Sequence, residues 1–202
     1  VYNLVTKRAV AHEDAVMEWV DGYDLQRLLV PEMLNRIRKR VSHRRWEYLN
    51  RVIVTNGPVQ PRIKPGVAVS IVRDCLSALA ALHREGVVHG DIKPSNVMLL
   101  ADGGVKLIDI GLARPFARKP GERAGAFGTR GWMSPEQARP DGGIDHRSDI
   151  WSLGRLLAHM LDHVPTADAN RGQRETRARL RGLADWMSAP SPDARPDGMS
   201  QI

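Results

Sequence analysis

Apolar residues recur every three or four positions in several stretches of the chain, the spacing of one face of an α-helix. From Val67 to His83 that face is Val72, Cys75 or Leu76, Leu79 and Leu82, and Gly86 follows where a cap is expected. A second stripe holds Leu153, Leu156, Leu157, Met160 and Leu161, opened by Asp149-Ile150-Trp151-Ser152-Leu153-Gly154. Leu25, Leu28 and Leu29 begin a third helix, which Pro31 interrupts; Met33, Leu34, Ile37 and Val41 resume the spacing. Leu180 to Met187 predicts a further short helix. Shorter apolar runs read as strands: Val1 to Val5, Asp14 to Val20, Val97 to Leu100 and Val105 to Ile108. The last two are joined by Ala101-Asp102-Gly103-Gly104, a hairpin turn. Asp21-Gly22 reads as a turn, and Asn56 to Gly66, rich in Pro and Gly, as a loop. The class expected is α+β and mainly helical.

Composition adds bounds. At 202 residues the chain is long enough for one domain with a sizeable core. No run approaches the roughly 18 apolar residues of a membrane helix, so no transmembrane segment is expected within it. Cys75 is the only cysteine, which leaves no disulfide framework and no cysteine zinc site. A cytoplasmic location fits, with any membrane anchor outside this stretch. The net charge of +7 is concentrated: Arg36, Arg38, Lys39, Arg40, Arg44, Arg45 and Arg51 face one acid, Glu47, across residues 36–51. That segment is either a solvated helix face or a docking stripe for an anionic partner.

The chemistry sits in His89-Gly90-Asp91-Ile92-Lys93-Pro94-Ser95-Asn96, with Asp109-Ile110-Gly111 thirteen residues beyond. A carboxylate, an ammonium and a carboxamide share one short loop. The hairpin between Asn96 and Asp109 returns the second carboxylate to the first loop. Phosphoryl transfer needs these groups: a base for the attacking hydroxyl, a cation near the γ-phosphate, and hard oxygens for Mg²⁺. Gly128-Thr129-Arg130-Gly131-Trp132-Met133-Ser134-Pro135-Glu136, Asp149-Ile150-Trp151 and Arg195-Pro196 follow in order.

On these motifs the chain resembles the catalytic domain of eukaryotic-like (bacterial-type) Ser/Thr protein kinases. The resemblance implies a mainly helical C-terminal lobe over 21–202, with the last N-lobe strands and the hinge in 1–20. It implies transfer of the ATP γ-phosphate to protein Ser or Thr hydroxyls. Asp91 would orient the hydroxyl, Lys93 neutralise the transferred group, Asn96 and Asp109 hold Mg²⁺, and Thr129 shape the substrate groove beside Asp91. ATP would lie against Met17 (the gatekeeper), the backbone of Glu18 and Val20, Asp24 at a ribose hydroxyl, Met98 under the adenine, and Asp109. Glu136 would pair with Arg195, Asp149 would bond the catalytic-loop backbone, and His89 would pack rather than catalyse. Trp132 and Trp151 would pack as well.

The pattern also departs from the family. Position 90 is Gly, where most protein kinases have an Arg that pairs with a phosphorylated loop residue, and 112–128 holds no Ser, Thr or Tyr. Activity is therefore expected not to need phosphorylation of that loop, within an activation segment spanning 109–136. Ile110 replaces the usual Phe. Residues 36–64 read as an insertion, and 162–179 as short and polar where the family has a further helix. The Gly-rich loop, the strand Lys and the helix Glu cannot be placed, so the sequence is read as a fragment beginning after them, inactive by itself. Two other readings remain open: a pseudokinase serving as a binding module, and a small-molecule phosphotransferase, whose His-Gly-Asp the chain shares.

Overall fold

The computed structural model describes residues 19–50, 54–56, 61–100, 102–116, 127–139, 142–164 and 170–202. The N-terminal strands read from the sequence, with Met17 and Glu18, lie outside them. The architecture is α+β and dominated by helices.

Strand β1 (Gly22–Asp24) runs into α1 (Leu25–Leu29), and Asp24 caps that helix by accepting the Arg27 N–H at 2.9 Å. Pro31 then opens α2 (Pro31–Arg38), a position where its missing N–H costs nothing, and Val30 before it is extended. The basic stretch continues through α3 (His43–Tyr48). A two-stranded ribbon follows, β2 (Val54–Asn56) against β3 (Pro61–Ile63). The central helix is α4 (Pro65–Arg84), again with Pro at its start. β4 (Val87–Val88), β5 (Val97–Leu100), β6 (Val105–Leu107) and β7 (Arg114–Pro115) then flank the loops that carry the chemistry. α5 (His146–Asp162) and α6 (Arg171–Met187) close the domain. The main sheet has the order β1-β5-β6, all antiparallel, and β4 pairs with β7.

One apolar core joins α1, α2, α4, α5, the end of α6 and the inner face of β5. α4 contributes Ala68, Ile71, Val72, Cys75, Leu79 and Leu82, the face read from the sequence. Among the described residues it is the one helix long and apolar enough to cross a membrane by length and composition; here that face is core. Burial pushes the Cys75 thiol up to about 12, which makes it a small apolar filler. α5 and α6 pack at glycine contact: a Cβ on Gly154 would sit 2.7 Å from Met187 Cβ and 2.9 Å from the Ala184 carbonyl oxygen.

The structure corrects several local readings. Gly22 is the first residue of β1 and no free turn, because β5 approaches so closely that a Cβ there would lie 2.4 Å from the Leu99 carbonyl oxygen. The region 56–66 holds the end of β2, all of β3 and the first residues of α4. Proline masked both, since it is a strand-edge residue in β3 and a helix opener in α4. The 162–179 region is not free of helix: α6 begins at Arg171, nine residues before the expected start, behind an Asn170–Gln173 capping box. Its first six residues are all exposed, so no apolar stripe marks them. Residues 43–48, inside the basic segment, are helical.

Candidate active site

The loop from His89 to Asn96 owes its shape to alternating anchors. His89 and Ile92 are fully buried, and Pro94 opens a single 3₁₀ turn that ends at Asn96. His89 accepts the Asp91 N–H at Nδ1 (3.3 Å) and donates from Nε2 to the Ile108 carbonyl (3.2 Å), so its ring ties the loop to the residue that follows β6. Beneath the loop, Asp149 is wholly inaccessible and accepts three donors at 2.8 Å: the N–H groups of His89 and Gly90, and His83 Nε2. This is the backbone-supporting role read for Asp149 from the sequence.

Asp91, Lys93 and Thr129 form a closed ring. Lys93 Nζ lies 2.6 Å from Asp91 Oδ2 and donates to Thr129 Oγ1 at 2.7 Å; Thr129 Oγ1 donates to Asp91 Oδ1 at 2.7 Å. Asn96 Nδ2 adds bonds to the Asp91 carbonyl (2.9 Å) and to Oδ2 (3.1 Å). Burial alone would raise the Asp91 pKa. The bonds from Lys93 and Thr129, the Lys93 charge and the bond from Asn96 outweigh it, and the carboxyl titrates below the ordinary aspartate range. All four residues read as catalytic are thus in direct contact.

The other expected site residues are placed less tightly. Asp109 is exposed, with φ 62°, and its carboxylate accepts the Gly111 N–H at 3.4 Å. A left-handed non-glycine residue is uncommon, and Asp is among the types that tolerate it. The hairpin joins the two ends through the Ile108 N–H, which donates to the Asn96 carbonyl at 3.0 Å. Met98 and Asp24 face one another across β5 and β1 in register. The Asp24 carboxylate is occupied by Arg27, through its N–H and through Nε at 3.0 Å, so a ribose hydroxyl would share it. Val20 is half-buried beside an exposed Trp19.

Two features fix the frame. Arg195 meets Glu136 in a bidentate pair (2.6 and 2.9 Å), and Ser148 Oγ donates to the same carboxylate at 2.7 Å. Gln137, which sequence reasoning missed, is buried and donates from Nε2 to the Gly90 carbonyl at 2.8 Å. Trp132 packs edge-on to His159, and Trp151 lies beneath Arg155, as packing residues. A separate cavity of about 310 Å³, lined by Tyr23, Arg44, Arg45, Tyr48, Leu99 and Leu100 among others, includes no member of the Asp91 ring.

The protein kinase domain matches this sequence over residues 15–200. The chain belongs to the protein kinase family. Kinases similar to this domain include serine/threonine-protein kinase PknL of Mycobacterium tuberculosis (strain ATCC 25618 / H37Rv), 41% identical over 119 residues, which are 58% of this chain and 29% of the relative. Serine/threonine-protein kinase PknB of Mycobacterium leprae (strain TN) is 40% identical over 119 residues, 58% of this chain and 18% of its own length. The kinase domain described here thus matches less than a third of the length of these curated relatives. Protein kinases use ATP and a divalent metal ion and act on proteins. The donor set fits Mg²⁺: Asn96 spends its amide N–H groups on Asp91, which leaves Oδ1 with one long contact to Ser95 at 3.4 Å, and the Asp109 carboxylate is exposed.

Proposed function

We propose that this chain is the catalytic part of a protein serine/threonine kinase, which transfers the ATP γ-phosphate to Ser or Thr hydroxyls. The observation that carries this is the closed Asp91–Lys93–Thr129 ring, with Asn96 bonded to the same carboxylate. Bound ATP with Mg²⁺ supplies the electrophilic phosphorus. Asp91, ionised at neutral pH, orients the incoming hydroxyl and takes its proton. Lys93 places its charge where negative charge develops on the transferred group. Asn96 and Asp109 would hold the metal through oxygen, the hard donor that a divalent cation takes, and the bound metal would supply charge neutralisation to the phosphates.

An intact ring argues against a pseudokinase, which has no use for a charged, buried base. The Gly128–Glu136 run that supplies Thr129 argues against a small-molecule phosphotransferase. The test is labelled phosphate transfer by the full-length protein to a generic Ser/Thr protein. Label on Ser or Thr that needs Asp91 supports the reading, and label on small alcohols or amines alone overturns it.

Asp109→Asn should raise the Mg²⁺ concentration needed for half-maximal activity by about tenfold or more, since a neutral amide is a poorer ligand than a carboxylate. A Mg²⁺ titration of initial rates checks this; an unchanged midpoint removes Asp109 from the metal site.

For residues 36–51 we propose contact with an anionic partner. Arg45 is paired with Asp21 at 2.7 Å and stacked on Tyr23, and Arg38 lies over Trp46. Arg36, Lys39, Arg40 and Arg44 remain exposed, and binding through them should weaken as salt rises.

A further inference from the structure

Residues 127–129 lie directly on residues 89–91, with glycine on both sides of the contact. Gly90 has φ 77° and Gly128 φ 110°, both in the left-handed region. A Cβ on Gly90 would lie 2.6 Å from Phe127 Cε2. A Cβ on Gly128 would lie 2.9 Å from Met133 Cγ and 3.1 Å from the Gly90 carbonyl oxygen. Neither position has room for a side chain, and each glycine lets the other strand of chain come close.

Gly90 is therefore held from three directions. Its N–H donates to Asp149, its carbonyl accepts from Gln137, and the Phe127 ring covers its Cα. Phe127 is buried with Val88 and Ile144, with Phe116 packed beside them. The Arg114 guanidinium lies 4.2 Å above the ring, which closes the seat with a cation–π contact. Two residues on, Thr129 donates to Asp91 and accepts from Lys93. The ring seat at 90 and the hydroxyl bond at 91 are thus the two ends of one docking contact between short spans of backbone.

We propose that Phe127 is a positioning residue of this kinase: its ring, seated on Gly90 under Arg114, holds Thr129 on Asp91 and so sets the geometry for phosphoryl transfer. The proposal rests on the kinase reading above and extends it to how the segment after Asp109 is kept in place. Residues 112–128 contain no hydroxyl to phosphorylate, and an apolar seat needs none. Phe127 touches neither reactant; it acts through Thr129 and through the Gly90–Asp91 peptide.

The test uses the full-length protein with Phe127→Ala, Phe127→Leu, Thr129→Ala and the Phe127→Ala/Thr129→Ala double variant. Misplaced catalytic groups cost rate more than binding, so Phe127→Ala should lower kcat for a Ser/Thr peptide by about tenfold or more. The KM for ATP should stay within about twofold, the pattern of a lost transition-state contact. Phe127→Leu, which keeps an apolar filler and loses the stacked ring, should fall between Ala and wild type. Because the two residues act as a unit, the double variant should be little worse than Thr129→Ala alone. A merely structural Phe127 would give additive losses, and that result overturns the proposal, as does a kcat within about twofold of wild type for Phe127→Ala. If Phe127→Ala does not fold, Phe127→Leu decides: an intermediate loss that vanishes in the Thr129→Ala background supports the seat, and an unchanged kcat removes it. Amide hydrogen exchange at Gly90 and Asp91 reads the seat without activity. Faster exchange there in Phe127→Leu, with α5 still protected, supports it even if the wild type transfers no phosphate and the kinase reading falls; unchanged exchange overturns it.

Discussion

Asp91→Asn in the full-length protein should reduce kcat for Ser/Thr phosphorylation by about 10²–10⁴-fold, the usual cost of losing a general base. The substitution keeps the shape of the side chain, so Thr129 can still donate to its oxygen. It removes the charge that Lys93 sits against at 2.6 Å and, on the proposed reading, the group that would accept the substrate proton. ATP affinity and melting temperature should change little by comparison, because on the proposed reading Asp91 serves the acceptor hydroxyl and not the nucleotide. A loss under about tenfold would move the base elsewhere. The pH dependence follows from the same contacts. The folded pKa lies below the ordinary value of 3.8, so the carboxylate is ionised throughout the physiological range. No acid limb from Asp91 should appear in kcat as pH falls from 7 towards 5. A limb that Asp91→Asn abolishes in that interval would contradict the hydrogen-bonded ring. The stability contributed by the ring is present above about pH 3.8 and is lost as pH falls through the lower folded pKa.

Arg195→Met should destabilise the domain by about 3–5 kcal/mol, the cost of stranding one member of a buried ion pair. Both partners are over nine-tenths buried. All five guanidinium N–H donors are used: two on Glu136, and the rest on the carbonyls of Ala189, Arg147 and Pro190. Removing them leaves the Glu136 carboxylate with Ser148 and little else. Urea denaturation of the variant and of Glu136→Met/Arg195→Met checks this, since the double variant should recover part of the loss by removing the stranded charge. A single-variant cost under about 1 kcal/mol would show the pair to be solvated. Burial pushes the Glu136 pKa up, while the bonds from Arg195 and Ser148 bring it net below the ordinary 4.5. The stabilisation is therefore present above about pH 4.5 and lost as pH falls through the lower folded value, so the deficit of Arg195→Met should shrink in acid.

The parts of this fold legible in the sequence are those whose signal is local. The apolar period of α4 and α5 and the turn residues at 101–104 mark their elements before any tertiary contact forms. Asp91, Lys93 and Asn96 were legible as charged and polar groups on one short loop, and Thr129 only through the family resemblance; in the folded chain the other three all bond to Asp91. β1 was hidden because its glycine reads as a turn until the neighbouring strand is seen against it. The start of α6 was hidden because its exposed first residues have no apolar period to find, and the Asn170–Gln173 capping box was the one local signal there to be read. Gln137 and Phe127 carried no signal of their own. Their importance lies in what they touch 47 residues earlier for Gln137, and in a contact with a glycine for Phe127, neither of which composition or spacing encodes.

The contact between Gly90 and Phe127 also restricts the order in which this sequence can change. An arginine introduced first at 90 meets both a φ of 77° and a ring 2.6 Å from its first side-chain carbon. A smaller residue introduced first at 127 empties the seat while 90 is still bare. Each single step disturbs the contact before the other can compensate, so the two positions should change together. Among relatives of this chain, glycine at the first should travel with a bulky apolar residue at the second, and chains with a side chain at 90 should lack the ring.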